Sequence, residues 1–247
     1  MVIEPSLHAV YGQVSGNSLS TVSLSQQQII EKLERMGGQV FKKSDRVIEV
    51  NLGKTEVVDA DLRLLASLVD VTDLSLEQTR VSDAGIVYLE PLANLEWLNL
   101  YQTRVSNAAC KSLRKLKHLK QLPIGRNQLT DAGLVEIAHL EQLEYLGLRG
   151  NNVTDSGLMF LSNLTNLTGL HLGETKVTNS GLTYLLHLTK LKKLWLHNTA
   201  ISDQGVAVLV QLKSLEQLYV YNTQITEEGF KELQGGLPQC LIVYQVE

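Results

Sequence analysis

The sequence has few aromatic residues, few cysteines and no long apolar run. Aromatic residues make up 5% of the 247 residues although 44% are hydrophobic, so the core must be built almost entirely from aliphatic side chains. Two cysteines, Cys110 and Cys240, cannot form a disulfide framework, and we expect both to be packing residues. No run reaches the length of about 18 apolar residues that a transmembrane helix needs, so none is predicted.

Neither charge sign dominates the chain. The 22 basic and 26 acidic residues give a net charge of −4, so we expect no nucleic-acid partner. The N-terminus lacks a basic segment and carries Glu4 and Gln13 where a signal peptide needs an unbroken apolar stretch. We therefore predict a cytoplasmic protein.

Motifs that would indicate catalysis are also missing. The sequence contains no G-x-G-x-x-G at the start of a helix, no Walker loop, no H-E-x-x-H and no G-x-S-x-G. We therefore expect no enzyme activity and no cofactor.

What the sequence does contain is a repeat. From Val47 it divides into eight units, seven of them 24 residues long, that begin at residues 47, 71, 95, 119, 143, 167, 191 and 215. Two adjacent units are LEYLGLRGNNVTDSGLMFLSNLTN and LTGLHLGETKVTNSGLTYLLHLTK. A fixed period of this length is typical of a solenoid, in which neighbouring units bury one continuous core.

Each unit predicts one strand and one short helix. In the first half, L-x-x-L-x-L-x-x-T/N-x-V/I/L, alternating leucines such as Leu170 and Leu172 predict a strand with one buried face. The ninth position is always Thr or Asn, which we expect to hydrogen-bond backbone groups at the end of the strand. In the second half, a Ser or Thr followed in most units by Asp predicts the N-terminal cap of a helix.

The two ends have different patterns, which predict covers for the stack. Residues 25–36 predict an amphipathic helix with a capping box between Ser25 and Gln28, stopped by Gly37 and Gly38. The predicted organisation is a flexible tail (1–24), an N-terminal helix cap (25–46), eight repeats (47–238) and a C-terminal cap strand (239–247).

The unit L-x-x-L-x-L-x-x-T-x-V-T/S-D-x-G-L resembles the leucine-rich-repeat family, and its form is similar to the bacterial, ribonuclease-inhibitor-like branch. The resemblance covers about four fifths of the chain. It implies an α/β fold, a curved right-handed leucine-rich-repeat solenoid with parallel strands on the concave side and short helices on the convex side. It also implies a non-catalytic scaffold that binds a protein or peptide on the concave face.

Repeat positions 3, 5 and 7 point out of the sheet, and these columns are rich in aromatic rings. They hold 24 residues but eight of the chain's 16 Trp, Tyr and His, about five times an even share. Because Trp and Tyr anchor interfaces, we predict a partner-binding surface. Its residues are Trp97, Tyr101, Tyr145, Arg149, His171, Trp195, His197, Tyr219 and Tyr221.

Other interpretations of these columns stay open. The large side chains could fill the trough by stacking on one another, or the Trp and Tyr rings could stack on carbohydrate. A metal site at His171, His197 and Glu174 is a weaker third hypothesis because the spacing is unlike that of zinc sites, and we predict no metal. We expect a monomer.

Two further features carry predictions. Glu49, Asp73 and Glu77 make the first repeats acidic, whereas basic residues lie from the middle onward, so the face could orient a partner of opposite polarity. Pro123 removes a hydrogen-bond donor from a central strand, which predicts a bulge or a widened gap between strands.

Overall fold

A computed structural model describes residues 24–245. The tail predicted for residues 1–24 lies outside this range except for Leu24, which is partly buried against the core. The last two residues of the predicted C-terminal strand also lie outside it.

Within residues 24–245, ten strands form one sheet in chain order. Only β1 is antiparallel to its neighbour, and the other neighbouring pairs are parallel. The 24-residue period makes equivalent positions pair across every parallel junction. The strands are β1 (Gln39–Lys43), β2 (Arg46–Asn51), β3 (Asp73–Ser75), β4 (Trp97–Asn99), β5 (Gln121–Pro123), β6 (Tyr145–Gly147), β7 (Gly169–His171), β8 (Lys193–Trp195), β9 (Gln217–Tyr219) and β10 (Leu241–Val243).

A helical segment follows each of the parallel strands β2 to β9 and packs against the helical segment of the next repeat. Some of these segments are α-helical and others are 3₁₀-helical or mixed. The α-helices are α1 (Gln26–Arg35), α2 (Asp83–Ile86), α3 (Asn107–Leu113), α4 (Asp131–Ile137), α5 (Asp155–Leu161), α6 (Val206–Leu209) and α7 (Glu227–Gly236). The 3₁₀ segments are Asp59–Ser67, Val87–Leu89, Asn179–His187 and Asp203–Gly205. None of the helices in this part of the chain combines the length and apolarity that a membrane crossing requires.

The core is one aliphatic cluster that extends from α1 to the last repeat. The strand residues at repeat positions 4 and 6, such as Leu98 and Leu100, are fully buried in every repeat, as the alternation predicted. The Thr or Asn at position 9 also behaves as predicted. The hydroxyl of Thr175 donates to the carbonyl of Leu172 at 2.6 Å, and Thr occupies the same position in five other repeats.

At the N-terminal end, α1 covers the first repeat. The capping box is present, because the backbone N–H of Gln28 donates to Oγ of Ser25 at 3.2 Å and Oε1 of Gln28 accepts from the Ser25 N–H at 2.9 Å. Gly37 has a φ of 87°, a conformation that favours glycine, and the Gly38 N–H donates back to the carbonyl of Leu33. Strand β1 then pairs with β2.

The residue after each predicted cap has a role that the sequence interpretation missed. Asp155 accepts hydrogen bonds from the backbone N–H and the hydroxyl of Thr178 in the next repeat, at 2.7 and 2.6 Å. Equivalent bonds occur at seven consecutive junctions, and we call these residues the Asx ladder. They are Asp59, Asp83, Asn107, Asp131, Asp155, Asn179 and Asp203.

The predicted helix caps are correspondingly weaker than expected. The side chains of Ser82, Thr154 and Ser202 accept no capping hydrogen bond, whereas Ser106, Thr130, Thr178 and Thr226 do. The Asx ladder also explains the glycine of the D-x-G motif. A Cβ on Gly181 would lie 2.4 Å from Oδ1 of Asp155, so a side chain at this position would displace the carboxylate.

Position 8 of every repeat has a positive φ, between 53° and 68°. Its N–H donates to the position-7 carbonyl of the next repeat, as from Gln78 to Tyr101 at 2.9 Å. Only Gly150, Asn198 and Asn222 are residue types that favour this left-handed conformation. The sheet therefore imposes the turn on the remaining side chains.

The bulge predicted at Pro123 does not form. The pairing of β4 with β5 shows no register shift and is reduced to the single pair Trp97 and Gln121. Bonds on either side keep ordinary lengths, such as 2.8 Å from the Leu100 N–H to the Pro123 carbonyl. The proline therefore removes one ladder bond and leaves the adjacent bonds in place.

Candidate functional site

The candidate site is the solvent-facing side of β2 to β9, which we call the strand face. It consists of repeat positions 3, 5 and 7, whose side chains point away from the core formed by positions 4 and 6. The predicted partner-binding residues all lie on it. With the exception of His197, they are partly exposed.

Rings from the last three repeats form an aromatic stack of His171, His197, Trp195, Tyr219 and Tyr221. The Trp195 ring lies parallel to His171 on one side, with centroids 5.2 Å apart, and parallel to Tyr219 on the other, at 5.3 Å. His197 stacks on Tyr221 at 4.5 Å and meets the edge of His171 at 5.1 Å. Neighbouring strands thus bring together rings that are 24 residues apart in the sequence.

The structure buries His197 within this stack. Its side chain is 2% exposed, and neither ring nitrogen has a hydrogen-bond partner. A Cβ on Gly173 would lie 2.5 Å from the His197 ring, so the ring occupies space that this glycine leaves free. Direct contact with a partner is therefore restricted, and His197 supports the rings around it.

Both histidines of the stack are held in the neutral form. Burial, the neighbouring His197 and the charge of Arg149 lower the pKa of His171 to about 4, and Nδ1 of His171 accepts the Gly173 N–H at 3.2 Å. Burial also lowers the pKa of His197. Residues 24–245 contain no group of three or more His, Cys, Asp or Glu side chains placed to hold a metal ion.

A cluster of charges lies beside the stack. The Arg149 guanidinium donates twice to Oε1 of Glu174, and Arg126 reaches the other carboxylate oxygen at 3.2 Å across Gly150. The hydrogen bonds from Arg149 lower the pKa of Glu174, so its carboxylate stays charged near neutral pH. The cluster has two positive charges and one negative charge, which leaves one positive charge in excess.

A pocket of about 170 Å³ opens on the strand face next to this cluster. The rings of Tyr101, Tyr145 and His171 line it together with Arg149. Pro123, Gly125 and Gly147 complete the lining. Burial raises the pKa of Tyr145, whose ring lies against Gly147 and Gly169.

The sequence interpretation missed this pocket because it counted aromatic residues and not small ones. Four glycines in the outward columns provide space for rings of neighbouring positions, and the signal was present in the sequence. They are Gly125, Gly147, Gly169 and Gly173. Trp97 stands apart, since it stacks on no other ring in the described range.

Two comparisons connect this architecture with known proteins, and a third, with curated proteins, finds no match. A family model described as "Leucine rich repeat" matches residues 92–153. Among solved structures, an internalin (inlF) from Listeria monocytogenes has a TM-score of 0.66 at 24% identity over 80% of this chain. Internalin C2 from the same organism has a TM-score of 0.64 at 23% identity over 81% of this chain.

A more distant similarity links the chain to a plant protein. The leucine-rich-repeat ectodomain of a membrane receptor kinase from Arabidopsis thaliana, in complex with Casparian strip integrity factor 2, has a TM-score of 0.55 at 17% identity and covers 83% of this chain. This chain spans 54% of the inlF chain, 81% of the internalin C2 chain and 25% of the plant ectodomain. At these identities the likeness shows the fold, and the ribonuclease-inhibitor-like type stays a prediction. Residues 92–153 thus carry the leucine-rich-repeat signature, and the chain folds as a leucine-rich-repeat solenoid of internalin-like architecture.

Proposed function

We propose that the protein is a non-catalytic scaffold that binds a protein or peptide on the concave side of its sheet, which is the strand face. The observation that carries the proposal is the partly exposed set of Trp and Tyr side chains on this face, in a chain with few aromatic residues. Such side chains combine large apolar area with a polar group and dominate binding energies at protein interfaces. Support also comes from the plant ectodomain, whose structure is a complex.

The stacking geometry favours a protein or peptide over the carbohydrate alternative. A sugar ring that stacks on tryptophan needs a free face of the indole ring. His171 and Tyr219 cover both faces of Trp195, with interplanar angles of 7° and 10°. The stack therefore offers ring edges and polar groups to a partner, and these suit side chains and backbone amides.

The charges of the face support an oriented partner. Glu49, Asp73 and Glu77 lie in the first two repeats, whereas the excess positive charge of the Arg126–Arg149–Glu174 cluster lies in the middle. A partner with basic residues at one end of its contact and acidic residues toward the other would bind in one direction along the solenoid.

The test is selection of binding peptides from a random display library with the full chain, followed by affinity measurement on variants. We expect Trp195→Ala and Tyr219→Ala each to weaken binding at least tenfold. The matched control is Tyr184→Ala, which removes a tyrosine that is 37% exposed on the helical side, and it should leave the affinity within twofold.

Two outcomes would contradict the proposal. One is unchanged binding in both variants of the stack. The other is the absence of any selected peptide together with a selective hit on a glycan array that quenches tryptophan fluorescence, which would establish carbohydrate recognition instead.

A further inference from the structure

The pocket beside the charged cluster owes its volume to missing side chains. A Cβ on Gly147 would lie 3.1 Å from the Tyr145 hydroxyl and 3.3 Å from Cα of Pro123. A Cβ on Gly125 would lie 2.9 Å from the Arg149 carbonyl and 3.2 Å from the Tyr101 ring. Any larger residue at these two positions would fill the space, so the glycines keep the pocket open.

The size of the pocket matches one side chain. An apolar cavity of about 150 Å³ accommodates benzene, whereas pockets for drug-sized ligands have about 300–1,000 Å³. At about 170 Å³ the pocket accepts one aromatic or large aliphatic group and is too small for a cofactor. Two tyrosine rings, an imidazole and a proline provide the apolar contacts such a group needs.

The charges next to the pocket specify what should accompany that side chain. Arg149 lines the pocket and is paired with Glu174, which also accepts from Arg126. One carboxylate thus neutralises only one of two guanidinium groups, and the Arg126 side chain is 45% exposed. A second carboxylate, supplied by a partner, would balance the cluster.

From this geometry, and resting on the proposed function, we propose that the pocket binds one aromatic or large aliphatic side chain of an acidic peptide segment. An Asp or Glu within about three residues of that side chain pairs with Arg126 and Arg149. Gly147 and Gly125 are therefore specificity-determining positions, because they admit the anchoring side chain.

The test uses peptides selected from a library of random dodecapeptides and compares two Gly→Ala variants of the full chain. Gly147→Ala places a methyl group in the pocket and should weaken binding at least tenfold. The matched control is Gly53→Ala on the same face in the first repeat, where a Cβ would be equally close to its neighbours, 3.1 Å from Ser75 Oγ. It should leave the affinity within twofold.

A second measurement works from the peptide side and depends on no variant that changes folding. Replacing the anchoring side chain of the selected peptide with Ala should weaken binding to the wild-type chain at least tenfold. Replacing its acidic residue with Ala should weaken binding to the wild type by severalfold but have little effect on Arg126→Gln, because the two groups interact.

The outcomes separate this proposal from the proposed function. If the stack variant Trp195→Ala abolishes binding while Gly147→Ala and the peptide substitutions have no effect, the pocket assignment is wrong and the scaffold function stands. If the selected peptides carry no shared acidic residue, the charge assignment is wrong. If neither Trp195→Ala nor Gly147→Ala changes affinity, both proposals are overturned.

Discussion

Asn151 provides a quantitative test of how neighbouring repeats are held together. Its amide nitrogen donates to the carbonyls of Ile124 and Leu148 at 3.0 and 3.1 Å. Its Oδ1 accepts from the N–H groups of Asn127 and Leu129 at 3.2 and 3.1 Å. The side chain is 3% exposed, so Asn151→Ala would leave four backbone groups without their partner at a site with little access to water.

The expected loss follows from the number of bonds. One intramolecular hydrogen bond contributes about 0.5–1.5 kcal/mol, and an unpaired buried group costs about 1–3 kcal/mol. With partial relaxation, we expect Asn151→Ala to lower the free energy of unfolding by about 4 kcal/mol. Asn151→Thr should lose about half as much, because a threonine here can keep the bond to Leu148.

The control is the same position one repeat later. Thr175 is 8% exposed and makes one side-chain hydrogen bond, to the carbonyl of Leu172. Thr175→Ala should therefore cost about 1–2 kcal/mol, for one bond and one buried methyl group.

Urea unfolding followed by circular dichroism gives each value, provided that the slope of the transition matches that of the wild type. The reasoning is refuted if Asn151→Ala loses no more stability than Thr175→Ala.

Three other predictions follow from the Asx ladder, the buried histidines and the cysteines. Asp155→Ala should lower the free energy of unfolding by about 3 kcal/mol, since it removes two bonds to Thr178. Asp155→Asn should cost less than about 1 kcal/mol, because asparagine serves this role in two other repeats, and equal losses in urea unfolding would contradict this reasoning. His171 titrates at about 4 in the folded chain and near 6.5 when unfolded, so protons bind the unfolded state first and stability falls as the pH drops through this interval. Urea titrations at each pH should show a loss of up to about 3 kcal/mol, and the loss should be smaller in His171→Phe; an unchanged loss would exclude His171 as its cause. Maleimide labelling of the native protein should modify the partly exposed Cys240 before the fully buried Cys110, whose pKa burial raises to about 12, and equal rates would count against the packing.

The repeat period predicted most of the fold. Because equivalent leucines recur every 24 residues, the register of the parallel strands and the buried positions followed directly from the sequence. The left-handed turn at position 8 could not be predicted this way. Residues such as Lys54 and Gln102 disfavour that conformation by about 1–2 kcal/mol, and only the bonds between repeats impose it.

The candidate site was predictable in its location but not in its geometry. Column counting indicated the strand face, yet the sequence gave Trp195 and His197 the same status. Their fates depend on neighbours 24 residues away, since Gly173 allows the His197 ring to be buried and His171 covers one face of Trp195. The role of Asp155 was missed for the same reason, because its partner belongs to the following repeat.

The Asx ladder makes the repeats interchangeable modules. Each ladder residue bonds only to the repeat that follows it, and the same chemistry recurs at seven junctions. Removal of residues 143–166 as a block would place Asp131 against Thr178 and recreate a junction of the same kind. Duplication or loss of 24-residue blocks could thus lengthen or shorten the array without new junction chemistry, so its evolutionary history can be one of unit exchange.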